Sequence, residues 1–306
     1  MTTQPPERPM PIHPEPIRPQ DIAEKKQRGE KIVMVTAYDA PSARLADEAA
    51  IDIVFVGDSA ANNVLGYDGT TPISMDEMVM LARAARRATK HGLFLVDMPL
   101  GSFQVSDEDA VRNAVRLVKE AGADGVKLEG GGSSVARARA IVAAGIPVMG
   151  HIGLTPQSAV MLGGHKAQGR TAAKARQLFA DAQALQSAGC FAIVLEAVPN
   201  RVSARISEAL RIPTIGIGAG PACDGQVLVW HDLLGINDGP MPRFVKQYAH
   251  VADDIRRALE TYAAEVRNGT FPGEEHGYKI PADELKLFES ELDSGVAVGD
   301  AGGDWL

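Results

Sequence analysis

Short runs rich in β-branched residues alternate along this chain with longer stretches in which apolar residues recur every three to four positions. The short runs are KIVMVTAYD (31–39), IDIVFVGDS (51–59), GLFLVDMP (92–99), GVKLEG (125–130), IPVMGHIG (146–153), CFAIVLEAV (190–198), IPTIGIGAG (212–220) and QVLVW (226–230). Helical patterns such as MDEMVMLARAARRATK (75–90), DEDAVRNAVRLVKEAG (107–122) and AKARQLFADAQALQSAG (173–189) follow several of them. This alternation is that of repeated βα units around a parallel sheet, and eight strands predict an α/β fold, the (β/α)8 TIM barrel. A doubly wound sheet is the rival, because periodicity does not reveal closure. The absence of GxGxxG after the first run favours the barrel.

Punctuation supports these elements. Ser74 and Ser106 stand where N-caps belong, and Gly92, Gly122, Gly145 and Gly189 where helices end. Residues 1–20 are rich in proline and polar groups and read as an extended, poorly ordered N-terminal arm. Residues 21–283 read as a single barrel domain and 284–306 as a loose acidic C-terminal tail. The stretch between QVLVW and the final helical pattern, PRFVKQYAHVADDIRRALETYAAEV, is the least regular part.

Composition narrows the function. Hydrophobic residues make up 45% and charged residues 23% of 306, enough for a sizeable core. A formal net charge of -8, with basic residues dispersed among acidic ones, disfavours a nucleic-acid partner. Cys190 and Cys223 lie far apart without CxxC or Cys/His spacing, so neither a disulfide framework nor structural zinc is expected. The N-terminus has no apolar signal region and no run is long enough to span a membrane, which places the protein in the cytoplasm.

The polar residues that end the strands carry the chemistry: Tyr38 and Asp39, Asp58 and Ser59, Asp97, Lys127 with Glu129, His151, and Glu196. In a (β/α)8 barrel the C-terminal strand ends form one mouth, and the active site sits there. Each residue alone is as readily a cap, a turn or an ion-pair partner. Together, Asp58, Asp97 and Glu129 would repel one another unless neutralised, and hard oxygen ligands of this kind suit Mg2+ or Mn2+. In VKLEG, Val126 and Leu128 take one face, leaving Lys127 and Glu129 directed into the barrel. A cation beside a metal suggests an anionic substrate. Glu196 follows the apolar run FAIVL, a desolvating setting that suits a general base as well as a buried ion pair. Ser59 reads equally as a hydrogen-bond donor to such a substrate and as a helix cap. His151 is open between metal ligand, proton relay and a hydrogen bond within the barrel. The GIGAG segment (216–220) is a weak phosphate-cradle signal without a Lys or Ser/Thr partner.

The segments VGDSAANNVLGYDGTTPISMDEM, VDMPLGSF, GVKLEGG, PVMGHIGLTPQS, VLEAVP and IGIGAGPACDGQVLVWHDLLG resemble the ketopantoate hydroxymethyltransferase family across roughly residues 30 to 250. That family is similar in fold to the phosphoenolpyruvate mutase and isocitrate lyase barrels. The resemblance implies transfer of a hydroxymethyl group from 5,10-methylenetetrahydrofolate to 3-methyl-2-oxobutanoate, giving ketopantoate for coenzyme A synthesis. It implies Mg2+ at Asp58, Asp97 and Glu129, substrate contacts from Asp58, Ser59, Asp97 and Lys127, Glu196 as proton acceptor, and a homodecamer. In the loop GGHKAQGR, His165 and Ala167 depart from the family's tyrosine and valine. The alternatives are a metal-dependent 2-oxo-acid lyase or mutase of the same superfamily, and a non-catalytic barrel that binds a 2-oxo acid.

Overall fold

The computed structural model describes residues 15–294 apart from 165, 238 and 240. The chain runs α1 (Pro19–Arg28), β1 (Ile32–Thr36), α2 (Ala40–Glu48), β2 (Ile53–Val56), α3 (Ala60–Asn63), α4 (Met75–Arg86), β3 (Leu93–Asp97), α5 (Asp107–Ala121), β4 (Gly125–Glu129), α6 (Ser134–Ala143), β5 (Val148–Gly153), α7 (Ala172–Ala188), β6 (Ala192–Glu196), α8 (Asn200–Ala209), β7 (Thr214–Ile217), β8 (Gly225–Leu228) and α9 (Trp230–Leu233). Two further helices follow, α10 (Val251–Asn268) and α11 (Ala282–Asp293). All eight strands pair in parallel, each with its sequence neighbour, and β8 closes on β1. The barrel, not the doubly wound sheet, is the architecture.

Strand alternation sorts the core into two layers. Outward residues such as Val54, Phe94, Val126, Leu128, Ile193 and Leu195 pack against the helices, with Ala82, Ala114 and Leu185 among their partners. Inward residues Ile32, Met34, Ile53, Phe55, Leu93, Leu95, Met149, Val194, Ile215 and Val227 fill the barrel. Val126 and Leu128 face outward, as the VKLEG pattern requires.

The capping residues hold at most positions. The Ser74 and Ser106 hydroxyls accept from the backbone N–H groups of Glu77 and Asp109. Gly122 and Gly189 end α5 and α7 in the left-handed region, and Gly145 follows α6 with φ of 86°. Gly92 is different. It precedes β3, its N–H donates to Asp47, and a Cβ there would meet the Ile51 carbonyl at 2.9 Å, so close packing explains it.

Both chain ends depart from the pattern. Ile17, inside the stretch that reads as a loose arm, is buried and belongs with Ile22 to the inward cluster; its N–H donates to the His91 carbonyl at 2.7 Å. Proline-rich composition conceals one apolar anchor there. Residues 1–14 lie outside the described residues. The compact unit that holds the barrel ends at Val251, short of 283, and a second unit begins at Ala252. Within that unit α11 covers residues that read as loose tail: Pro281 stands just before it, Asp283 and Glu284 lie in its first turn, and Leu285, Phe288 and Leu292 recur at helical spacing. Residues 295–306 lie outside the described residues.

Candidate active site

The barrel register places acid against base. Asp97 on β3 pairs directly with Lys127 on β4, and Glu129 with His151 on β5. Parallel strands stand about 4.8 Å apart, so inward side chains at paired positions meet. Lys127 Nζ lies 2.6 Å from Asp97 Oδ1, and both side chains are at most 5% exposed. His151 stands between two carboxylates, with Nδ1 3.4 Å from Glu129 Oε1 and Nε2 3.3 Å from Glu196 Oε2. Lys127 Nζ also lies 5.2 Å from the centre of the Phe55 ring. Asp58, Ser59, Asp97, Lys127, Glu129, His151 and Glu196 all line one cavity of about 850 Å3.

Asp58 is not a cap. Its Oδ2 accepts from Gln157 Nε2 at 2.9 Å, and its N–H donates to Asp97 Oδ2 at 3.0 Å. Ser59 occupies the N-cap position of α3 without capping it, because its hydroxyl is paired with Tyr38 Oη at 2.8 Å. Asp39 serves structure, accepting from Ser42 N–H at the start of α2. In GIGAG, a Cβ on Gly218 or Gly220 would collide with Phe244 or Asn200, so those glycines admit close packing. Glu196 ends β6 with 15% of its side chain exposed beside His151; of the apolar run before it, Val194 faces inward with it while Ile193 and Leu195 point outward. Gly153, with φ of 101°, leaves room for the Glu196 carbonyl, 2.2 Å from where a Cβ would sit. His165 lies outside the described residues.

Gln157 joins the site with no signal in the sequence pattern. Buried near the end of PVMGHIGLTPQS, it donates from Nε2 to Asp58 and to the Met98 carbonyl, and its backbone N–H donates to Glu129 Oε2 at 3.0 Å. A polar residue that satisfies two carboxylates at once looks in sequence like any loop glutamine. Tyr38, in sequence simply a strand end, is buried here, and burial pushes its phenol up to about 12.

Burial and neighbouring charges set the titration of the pocket. Burial pushes Asp58 well above the usual carboxylate range, and the charges of Asp97 and Glu129 push it further, against Lys127 and Gln157. Burial also raises Asp97 despite Lys127. Burial opposes the Lys127 charge, but Asp97, Glu129 and Asp58 together hold its pKa above the usual value. Burial works against ionised Glu129 as well, and its hydrogen bond with His151 and that imidazole's charge hold it low. Burial and Lys127 oppose the His151 imidazolium, yet Glu129 and Glu196 bring it to about 9. Burial and mutual repulsion thus push Asp58 and Asp97 toward their protonated forms, and a divalent cation between them would favour the ionised carboxylates.

The donor set fits such an ion. Asp97 Oδ1 is buried beside the Lys127 ammonium and makes no aligned hydrogen bond with the described residues, and hard carboxylate oxygens match Mg2+. Among the described residues no three His, Cys, Asp or Glu side chains converge as a ready-made metal cage. Mg2+ does not require one, since it keeps several waters and binds through one or two carboxylates plus substrate oxygens.

The charge balance makes a prediction for protein stripped of divalent ions. His151 binds its proton more tightly folded, at about 9, than unfolded, at 6.5. The native state then holds the extra proton, so the stabilisation is complete below pH 6.5 and is lost as pH rises through about 9. Asp58, raised on folding, adds to the fall as pH passes its folded value. Thermal melting in EDTA should show decreasing stability across this interval, and His151→Gln should flatten the decline.

A family model described as ketopantoate hydroxymethyltransferase matches residues 16–274. This chain belongs to that family. It is 58% identical over 254 residues to the 3-methyl-2-oxobutanoate hydroxymethyltransferase of Moorella thermoacetica, covering 83% of this chain and 94% of the relative. It is 52% identical over 278 residues to the mitochondrial 3-methyl-2-oxobutanoate hydroxymethyltransferase 1 of Arabidopsis thaliana, covering 89% and 80%. Among solved structures, the barrel is similar to 2,3-dimethylmalate lyase, a PEP mutase/isocitrate lyase superfamily member, with TM-score 0.55, 16% identity and coverage of 95% and 100%. A phosphonopyruvate hydrolase complexed with oxalate and Mg2+ gives TM-score 0.56 at 13% identity, covering 92% and 98%. The lyase and hydrolase share the fold with the hydroxymethyltransferase family; the family's own name comes from sequence.

Proposed function

We propose that this barrel transfers a hydroxymethyl group from 5,10-methylenetetrahydrofolate to C3 of 3-methyl-2-oxobutanoate, giving ketopantoate. The observation that carries the site assignment is the convergence of Asp58, Asp97, Lys127, Glu129, His151 and Glu196 on one cavity, where burial and the neighbouring carboxylates push Asp58 toward its protonated form. Asp58 and Asp97 would hold Mg2+, with Glu129 completing the acidic set. When bound, the ion supplies Lewis-acid polarisation of the 2-oxo carbonyl.

The chain's own residues do the remainder. Lys127 faces the negative charge that develops on the keto oxygen. Ser59 Oγ, beside Asp58, would donate to the substrate carboxylate. Glu196 takes the C3 proton, and His151 Nε2, 3.3 Å from Glu196 Oε2, orients it. C3 then bonds to the folate's one-carbon unit as one of that carbon's two C–N bonds breaks, the second C–N bond breaks as water supplies the hydroxyl, and the two nitrogens take up the C3 proton and a proton from water, releasing tetrahydrofolate. The inward apolar residues Phe55, Val194 and Ile217 line the same cavity and suit the branched alkyl end of the acid.

The assignment predicts that ketopantoate forms only when 2-oxo acid, methylenetetrahydrofolate and a divalent ion are all present, read by product chromatography. Product without added folate would refute it. Cys190 and Cys223 are free and buried, which suits a reducing compartment such as the cytoplasm. Among the described residues no helix is long and apolar enough to cross a membrane. A homodecamer is our reading of the assembly, on family likeness alone.

A further inference from the structure

The cavity is larger than a five-carbon acid fills: about 850 Å3, a size that encloses a drug-sized ligand. The acidic cluster accounts for one part of its wall. Another part is built by the residues after β2 and after β8, namely Asn63, Thr70, Asp232 and Asn237, with Met241, Pro242 and Phe244 beside them. These polar residues are wired together. Asn237 Nδ2 donates to Asn63 Oδ1 and to Asp232 Oδ1, both at 2.8 Å. The Trp230 N–H donates to Thr36 Oγ1 at 2.8 Å, tying the helix that carries Asp232 to the end of β1. One carboxylate oxygen, Asp232 Oδ2, accepts no hydrogen bond from the described residues, and the buried Thr70 Oγ1 has no partner among them.

We propose that this second wall, centred on Asp232, receives the aminopyrimidine edge of the reduced folate. The inference rests on the transferase reading above and names a subsite within it. A reduced pterin presents its ring N–H and exocyclic amine as two parallel donors, the pairing that a carboxylate accepts best. Its neighbouring carbonyl is an acceptor, and Thr70 Oγ1 is a donor without a partner. The amide of Asn237 fixes the Asp232 carboxylate, so little ordering remains to be done on binding. Phe244 packs over Gly218 and, with Pro242 and Met241, offers the apolar face on which a flat ring system lies. The placement suits the chemistry, because the pterin's reactive nitrogen lies one ring from the recognised edge. Tyr38 links the two walls: its hydroxyl pairs with Ser59 beside Asp58, and Asp232 lies close enough to act on its charge.

The test is Asp232→Asn, which keeps shape but replaces an acceptor pair with one acceptor and one donor. Tetrahydrofolate binding, measured by calorimetry with Mg2+ and 2-oxo acid present, should weaken about tenfold or more, and KM for methylenetetrahydrofolate should rise while KM for the 2-oxo acid changes much less. A folate analogue lacking the exocyclic amine should bind wild type correspondingly weakly and lose little more in the variant. Unchanged tetrahydrofolate affinity in a variant that melts like wild type overturns the subsite and leaves the transferase intact. Should the variant fold poorly, the analogue decides on wild type alone, equal affinity for analogue and parent overturning the proposal. Wild type that neither binds tetrahydrofolate nor makes ketopantoate overturns the reading on which it rests.

Discussion

Replacing Glu196 by Gln should lower ketopantoate formation by about 10²–10⁴-fold, the range associated with loss of a positioned general base. The amide preserves shape and can still hydrogen-bond, so the loss isolates basicity. Substrate binding should change little, because the proposed contacts to the acid are those of Asp58, Ser59, Asp97 and Lys127. The charged partner of Glu196 is the His151 imidazole at 3.3 Å, itself braced by Glu129. The Glu196→Gln variant would therefore leave His151 with one carboxylate instead of two, and the melting temperature should shift modestly. The discriminating result is a fall in kcat at nearly constant KM for the 2-oxo acid. A rise in KM alone would make Glu196 a binding residue.

Lys127→Met should cost both stability and activity. The ammonium is buried against Asp97 at 2.6 Å, and breaking a buried ion pair from one side costs about 3–5 kcal/mol because the remaining charge has no compensation. Three carboxylates, already crowded enough to raise Asp58, would lose their nearest cation. The urea midpoint of metal-free protein should fall accordingly, and Mg2+ should restore part of the loss by supplying positive charge. Turnover should drop about 10²–10³-fold, the order expected for removing one group that stabilises a developing oxyanion. Adding Asp97→Asn should recover stability without recovering turnover. If the double variant is as unstable as Lys127→Met, the Asp97–Lys127 pair is not the source of the cost.

The barrel was legible in the chain because its signal is local. Each strand is a short β-branched run, and inward polar residues at Asp97, Lys127, Glu129, His151 and Glu196 interrupt the apolar alternation where the strands end. Convergence of these residues followed from the fold class, and contact between them did not. That Lys127 meets Asp97, and His151 both Glu129 and Glu196, depends on strand register, which is a property of pairs of strands. The setting of Glu196 depends on the same alternation: of FAIVL, Ala192 and Val194 share its inward face while Ile193 and Leu195 point outward, so much of its surroundings comes from neighbouring strands. Gln157 and the Asn63, Asp232 and Asn237 network were invisible because they are ordinary loop residues until the chain closes around them. Ile17 was hidden by its proline-rich surroundings, although one apolar residue is enough to anchor an arm when it enters the barrel.

The most direct measurement follows deuterium into C3 of 3-methyl-2-oxobutanoate in D2O, without folate, with Mg2+ or with EDTA, for wild type and Glu196→Gln. The account predicts exchange by wild type with Mg2+, little with EDTA, and little from the variant under either condition. Exchange that persists at the wild-type rate in folded Glu196→Gln would contradict the assignment of Glu196 as the base that opens the reaction.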